Sequence, residues 1–281
     1  MKSKIISFQS MNIFNEHKNH LKMSVGKKVL SITAILLLLT ACRSSNDTEE
    51  TPVDKQTFMS KWIWVYGSGG TYNANESYTL DANNKLSSSV YTRNEATTTV
   101  INITYTRNAL GQVIKSQNES SYRIYEYNSA GQLSKSSAYK ASDGTLLSYY
   151  VFNYSADEYE QVSYSAAGVA GSKIVFTYTA DKKNIAKEIW YYANGNIAFQ
   201  RQNSYYTTKN PLSVYPYSEI YMLDKGFVSQ NAVNTETYSY DSGPSYNTVY
   251  SYTYNEDGYA LTQKEITGTE QTTTTYEYIT K

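Results

Sequence analysis

The chain has 281 residues with 25 basic and 25 acidic side chains, and this balance conceals two different segments. Residues 1–41 contain six lysines, one glutamate and both histidines, whereas the remaining 240 residues carry 19 bases, 24 acids and all 31 tyrosines. The second segment therefore has a net charge of −5, lacks histidine and contains a single cysteine, Cys42. This composition excludes histidine-dependent nucleophilic catalysis, Cys/His zinc sites and internal disulfides, and it lacks the basic charge of a nucleic-acid binder. We expect no catalytic residues, no metal and no cofactor.

The N-terminal segment has the features of a targeting sequence. Residues 1–22 show no useful periodicity and are interpreted as an upstream extension. Residues 23–41 combine two lysines, a short apolar run and small residues before the cysteine, which is the pattern of a secretory signal peptide. The run is shorter than the roughly 20 apolar residues that a membrane-spanning helix needs. The sequence therefore predicts a removable signal rather than a transmembrane anchor.

The residues around Cys42 indicate how the protein is held in the envelope. Leu39-Thr40-Ala41-Cys42 resembles a bacterial lipobox, which implies lipidation of Cys42 and a membrane partner reached through the N-terminal lipid. Residues 42–57 are polar and acidic and predict a flexible tether. Acidic residues directly after the cysteine also resemble the surface-export signals of Bacteroidota lipoproteins. We therefore expect an outer-membrane lipoprotein of the cell envelope, with surface exposure left open.

A tyrosine-rich phrase recurs along the remainder of the chain, residues 58–281. The segments 125–133 and 252–261 both read aromatic, spacer, aromatic, Asn, turn residues, Gly and then an aliphatic residue. Looser copies begin at Ile103, Phe152 and Phe176. Aromatic residues at i and i+2 lie on one face of a strand, Asn can cap a turn with its side chain, and Gly supplies a positive φ. Each copy therefore predicts strand, turn and strand.

These hairpins predict the fold class. No later segment keeps a helical apolar stripe for three turns, so we expect an all-β protein, an antiparallel meander that forms one long twisted or coiled sheet. A closed or flattened barrel and two packed sheets satisfy the same spacing and remain alternatives. The spacing breaks between Tyr206 and Tyr238, where Pro211 and Pro216 predict a longer loop or an irregular corner.

The repeated phrase is similar to the YD repeats of Rhs and teneurin-type shells. The whole arrangement, with a lipobox, Tyr-x-Tyr-Asn-x-x-Gly repeats and a turn at Lys209-Asn210-Pro211, resembles a family of uncharacterised secreted lipoproteins of Bacteroidota. The resemblance covers roughly residues 60–281 and implies a coiled sheet of hairpins. It implies no activity.

Two kinds of residue are candidates for function. Carboxylate pairs such as Asp157-Glu158 and Glu256-Asp257 are the minimum for glycoside hydrolysis, but they fall at turns, where solvated side chains are expected. Aromatic side chains can stack on sugar rings, and we single out Trp62, Trp64 and Trp190 for that role. The sequence thus predicts a non-enzymatic envelope interaction or scaffold module, with an envelope protein or a polysaccharide as candidate partner. The alternatives are a glycan-binding lipoprotein and a carboxylate-dependent hydrolase.

Overall fold

The structure, a computed structural model, describes residues 55–66, 72–94, 97–241 and 243–281, and the fold concerns the unit that comprises residues 56–281. Sixteen antiparallel strands follow one another in these ranges, and each pairs with its neighbours in sequence. The first strand also pairs with the last, which closes the sheet into a barrel. The signal segment, Cys42 and the tether up to residue 54 lie outside the described residues.

The strands are β1 (Thr57–Tyr66), β2 (Tyr72–Leu80), β3 (Leu86–Asn94), β4 (Thr98–Arg107), β5 (Val113–Gln117), β6 (Ser121–Tyr127), β7 (Leu133–Lys140), β8 (Leu146–Tyr154), β9 (Glu158–Ser165), β10 (Ala170–Tyr178), β11 (Ile185–Tyr191), β12 (Ile197–Lys209), β13 (Asn231–Tyr240), β14 (Tyr246–Tyr254), β15 (Ala260–Thr267) and β16 (Glu270–Thr280). Between β12 and β13 lie a 3-10 turn, Pro211–Ser213, and the helix α1, Tyr217–Lys225.

The all-β antiparallel meander is confirmed, and of the three closures considered it is the barrel that forms. β1 and β16 pair from Thr57 opposite Thr280 to Tyr66 opposite Thr272, with one bulge between Met59 and Lys61, so neither strand is left as an open edge. An open sheet would expose two rows of unpaired backbone groups. The single continuous sheet is therefore closed on itself, because the first and last strands pair with each other.

The recurring phrase forms hairpins whose turn chemistry is as predicted. Asn128 Oδ1 accepts hydrogen bonds from the amides of Ala130 and Gln132, both at 3.0 Å, and Gly131 has a φ of +78°. The turn at Asn255 repeats this arrangement, with Gly258 at a φ of +77°. In a meander every second turn lies at the same end of the sheet. The turns at Asn128 and Asn255, the start of β1 and the end of β16 all lie at one end of the barrel, which we call the motif end. We call the opposite end the far end.

A second set of hydrogen bonds, from side chains to the backbone, joins neighbouring strands at the motif end. The hydroxyl of Tyr127 donates to the carbonyl of Val113 at 2.7 Å, and that of Tyr154 donates to Leu133 at 2.9 Å. Each tyrosine thus binds the first residue of the preceding strand. In the repeat that begins at Ile103 an arginine replaces this tyrosine, and Arg107 Nη2 donates to the carbonyl of Leu86 at 3.2 Å. In this copy Arg107 therefore corresponds to Tyr127, two residues after Tyr105, which the sequence pattern places there.

The helix α1 was not predicted from the sequence, which indicated only a loop or corner there. Its boundaries nevertheless carry ordinary signals: Pro216 precedes the helix, and Gly226 ends it with a φ of +75°, a left-handed conformation that favours glycine. Glu219 in the first turn and Lys225 in the last suit the helix dipole. No helix among the described residues is long and apolar enough to cross a membrane.

Candidate functional site

The helix α1 and its flanking residues lie in the lumen of the barrel, where they contact strands on many sides. The amide of Met59 in β1 donates to the carbonyl of Tyr215 at 2.9 Å. Leu223 packs with Tyr125 of β6 and Phe152 of β8 in one apolar cluster, and Phe227 packs with Tyr159 of β9 in another. Because these strands lie on different sides of the barrel, α1 is a plug that joins several parts of the wall.

An ion pair fastens the start of α1 to the wall. The guanidinium of Arg107 in β4 binds both carboxylate oxygens of Glu219 at 2.6 Å, and the two side chains are only 14% and 21% exposed. Tyr215 approaches the same guanidinium through its hydroxyl at 3.3 Å. The hydrogen bond and charge of Glu219 raise the pKa of Arg107. This bidentate geometry makes the pair an anchor rather than a free binding group.

A second charged network is buried deeper, on β11, β12 and β13. Arg201 binds the carboxylates of Glu188 and Glu236, the latter at 3.0 Å. The hydroxyls of Tyr238 and Tyr250 donate to the other oxygen of Glu236 at 2.7 and 2.9 Å. One guanidinium thus bridges two carboxylates whose side chains are 6% and 8% exposed.

The pKa directions in this network follow from burial and charge. Burial lowers the pKa of Arg201, but the charges of Glu188 and Glu236 outweigh it and hold the pKa well above its usual value. Burial and then the charge of Glu236 raise the pKa of Tyr250, and the same two causes raise the pKa of Glu265 on the neighbouring strand. The arginine therefore stays charged, and the nearby tyrosines stay neutral at ordinary pH.

An interior cavity of about 220 Å³ lies beside this network, between α1 and strands β9–β15. Glu188, Glu236, Arg201 and Lys225 contribute charges to its lining, two of each sign. Two buried polar atoms on this lining, Arg201 Nε and Asn203 Oδ1, have no hydrogen-bond partner within the protein. Arg107 Nε and Gln161 Oε1 also lack a partner but are not on this lining, so the cavity is the one place in the described lumen where two such residues meet.

The three tryptophans singled out from the sequence all point into the lumen. Trp62 packs on the apolar cluster at Met59 and donates to Glu76 at 3.3 Å, and Trp64 stacks on Tyr66 with centroids 5.9 Å apart. On the other side of the barrel, Trp190 donates to Glu188 and stacks on Phe199. The structure thus does not bring the three together on one outer aromatic face, and their stacking role stays a prediction.

An aromatic strip runs from the lumen to the mouth of the barrel at the far end. Trp190 stacks on Phe199 at 5.1 Å, Phe199 contacts Tyr240 at 5.9 Å, and Tyr240 meets Tyr246 edge-on at 6.0 Å. Tyr240 and Tyr246 are 44% and 49% exposed. Sequence reasoning missed these two tyrosines, because their exposure depends on the turn between β13 and β14 lying at the rim.

The outer wall carries both charged and apolar side chains, and Val100, Val249 and Ile266 are among the exposed apolar ones. Because side chains alternate along a strand, residues next to buried lumenal ones face outward. Charged side chains in outward positions form pairs such as Lys135 with Glu126 at 3.3 Å and Lys173 with Glu160 at 3.4 Å. Aromatic residues on this face stack across strands, as Tyr149 does on Tyr164 at 4.8 Å. The adjacent Tyr149 and Tyr150 therefore use both faces of β8.

The carboxylate pairs noted in the sequence lie at separate, exposed turns. Asp157 is exposed at the turn before β9 and binds Lys182, and Glu256 and Asp257 are exposed in the turn between β14 and β15. No group of acidic residues in the described ranges has the arrangement of a metal site. Glu188 and Glu236 do come together, but they share the charge of Arg201 and so lack the pair of opposed acid and base roles.

Comparisons with known proteins concern the fold. A porin-like protein from Bacteroides uniformis matches with a TM-score of 0.58 and 13% identity, over 79% of this chain and 98% of that one. A porin-like protein from Bacteroides vulgatus matches with a TM-score of 0.46 and 14% identity, over 80% and 99%. No protein-family model and no curated protein matches the sequence. The first likeness supports the closed barrel, and the resemblance to YD and Rhs repeats stays a prediction.

Proposed function

We propose that this protein is a lipid-anchored barrel of the cell envelope that stands in water on its tether and acts as a non-enzymatic interaction module. The charged side chains in outward positions are the observation that carries the proposal. A barrel that spans a membrane needs an apolar outward band, and a lysine near the bilayer midplane costs about 2–4 kcal/mol. Lys173 and Lys264 lie outward near the middle of β10 and β15, where such a band would be.

The filled lumen supports a binding role over transport. Barrels of this strand number leave a water-filled channel when nothing occupies them. Here α1 packs on apolar clusters of the wall and is fastened by Arg107 to Glu219. Lipidation of Cys42 and the signal peptide are proposed from the lipobox-like sequence alone.

Membrane attachment is tested by Cys42→Ala in the full chain, with Ser44→Ala as a matched control in the same segment. Cells are lysed and their membranes are separated by centrifugation. The wild type and the control should sediment with membranes, whereas Cys42→Ala should be recovered in the soluble fraction. If Cys42→Ala still sediments after a high-salt wash, the outer wall or another segment holds the protein, and the proposal is wrong.

Polysaccharide binding is a second candidate function, and the aromatic strip at the far end favours it. Gln56 and Lys281 pair through their backbones at the motif end, so the strip lies at the mouth opposite these two residues. The apolar C–H faces of sugar rings pack on the electron-rich faces of aromatic side chains. Tyr240 and Tyr246 offer such faces at low conformational cost.

Affinity electrophoresis in gels that contain pullulan, laminarin or galactomannan tests this candidate. Binding should retard the wild-type protein in at least one gel, and Tyr240→Ala and Tyr246→Ala should each reduce the retardation. Tyr206→Ala is the control, because Tyr206 is 38% exposed but lies on β12 away from the strip. Retardation that survives both strip substitutions, or none in any gel, would refute glycan binding and leave the anchored interaction module standing.

A further inference from the structure

The interior cavity beside α1 has the features of a ligand site. Its volume is about 220 Å³, and its lining combines charged, amide and aromatic side chains of seven strands with those of the helix. Apolar cavities stay dry, whereas polar ones hold water or a ligand that replaces it. The question is therefore which chemistry the lining would recognise.

Two orphan atoms define the polar part of that chemistry. The amide nitrogen of Asn203 donates to the carbonyl of Ile185 at 2.9 Å and to the hydroxyl of Tyr205 at 3.4 Å. These bonds fix the orientation of the amide, so its buried Oδ1 is left as an unpaired acceptor. On the same lining, Arg201 Nε is a buried donor without a partner, since its two terminal nitrogens bind Glu188 and Glu236. Buried polar atoms almost always have a hydrogen-bond partner, which can be a protein group, an ordered water or a ligand.

The remaining lining sets the charge and shape of the ligand. Arg201 binds both acids of the lining, Glu188 and Glu236, and Lys225 pairs with Asp224 at 3.2 Å, so each charge already has a partner and a neutral molecule suits the cavity better than an ion. Aromatic side chains form much of the wall: Tyr159, Phe176, Tyr221, Phe227, Tyr250 and Tyr252. Such a wall favours a molecule with apolar C–H faces and hydroxyls at its edge.

We propose that this cavity binds one small neutral polyhydroxylated molecule, of the size of a monosaccharide or a cyclic polyol. One hydroxyl of the ligand donates to Asn203 Oδ1, and a ligand oxygen accepts from Arg201 Nε. The ring packs on the aromatic wall. The site is separate from the strip at the far end, and the proposal holds whether or not the strip binds a polysaccharide.

Saturation-transfer difference NMR on the purified full chain tests the proposal, with D-glucose, D-galactose, D-mannose, N-acetyl-D-glucosamine and myo-inositol as probes. At least one probe should receive saturation, and Asn203→Leu should weaken its binding by about tenfold or more, because the acceptor is lost at similar volume. Asn203→Ala is the second variant, since it adds no bulk to the lumen. Asn102→Leu, on the exposed face of β4, is the control and should bind as the wild type does.

Circular dichroism and the thermal transition establish that each variant is folded before its binding is compared. The proposal is overturned if none of the five probes receives saturation, or if both folded Asn203 variants bind as tightly as the control. It is also overturned if crystals soaked with the same probes show only ordered water at Asn203 Oδ1 and Arg201 Nε. These outcomes leave the attachment and polysaccharide experiments unaffected.

Discussion

The network around Arg201 gives a stability prediction whose size follows from the structure. Arg201→Met keeps an apolar stem but leaves the carboxylates of Glu188 and Glu236, 6% and 8% exposed, without a counter-charge. Breaking a buried ion pair in this way costs about 3–5 kcal/mol. In a domain of this size each kcal/mol shifts the melting temperature by about 2–4 °C. The expected loss at pH 7 is therefore on the order of 10 °C.

Two rescues distinguish an uncompensated charge from a simple packing defect. Acid protonates carboxylates, so the difference between the wild type and Arg201→Met should shrink as the pH falls from 7 toward 4.5. Glu188→Gln and Glu236→Gln, added to Arg201→Met, should restore most of the lost stability, because the amides fill the same space without charge. A packing defect would respond to neither change.

Differential scanning calorimetry of these variants between pH 4.5 and 7 measures the effect. Lys135→Met is the control, because it breaks a pair with Glu126 in which both side chains are exposed, at 39% and 54%. Such pairs contribute about 0–1 kcal/mol, so its melting temperature should change little. A loss below 3 °C for Arg201→Met, or no recovery with the two glutamines, would refute the view that one guanidinium holds two buried carboxylates.

Four other changes probe the plug, the turns and the tyrosines. Glu219→Gln should weaken the ion pair with Arg107 that holds α1 by about 1–2 kcal/mol. Hydrogen exchange in Tyr217–Lys225, measured by mass spectrometry, should then become faster, and unchanged exchange would contradict the anchor role. Gly131→Ala, at a φ of +78°, should cost about 1–2 kcal/mol in urea unfolding, and a neutral result would contradict the turn assignment. Tyr127→Phe should cost about 1 kcal/mol by the same assay, since it removes the bond to Val113, whereas Tyr192→Phe, 52% exposed, should not. Burial raises the pKa of Tyr159 and other lumenal tyrosines, so above pH 10 the unfolded chain loses protons that the folded chain keeps. The free energy of unfolding should therefore fall by about 1.4 kcal/mol per pH unit for each such tyrosine. A urea midpoint that stays constant from pH 9 to 11 would refute this.

The local hairpins could be predicted from the sequence because each depends on neighbouring residues. Asn128 and Gly131 lie within one turn, and their backbone requirements are met by those residue types alone. The copy at Phe176 departs from the phrase, yet Lys182 takes the glycine conformation there with a φ of +60°. That departure is tolerated because Asp181, Thr179 and the backbone bind one another across the turn.

Closure and the plug could not be predicted in the same way, because both depend on residues far apart in the chain. The pairing of Trp62 with Tyr276 joins the first strand to the last, and no local pattern encodes it. The helix α1 has only nine residues and gains its stability from the wall through Leu223 and Glu219. Pro216 before the helix and Gly226 after it are the local signals of its boundaries.

Arginine and lysine are distributed differently between the lumen and the exterior of the barrel. The four arginines that the structure describes lie on lumenal positions: Arg93 is opposite the buried Ala74, Arg123 binds Ser136, Arg107 binds the half-buried Glu219, and Arg201 binds two buried carboxylates.

Lysines such as Lys135 and Lys173 lie outward, where their exposed ammonium groups stay hydrated. Arginine can hold several acceptors in a fixed plane and loses less hydration on burial than lysine, so this separation places each base where its solvation cost is lowest. The lumenal arginines accordingly hold the fold together, since Arg107 joins α1 to the wall and Arg201 joins β12 to its two neighbouring strands.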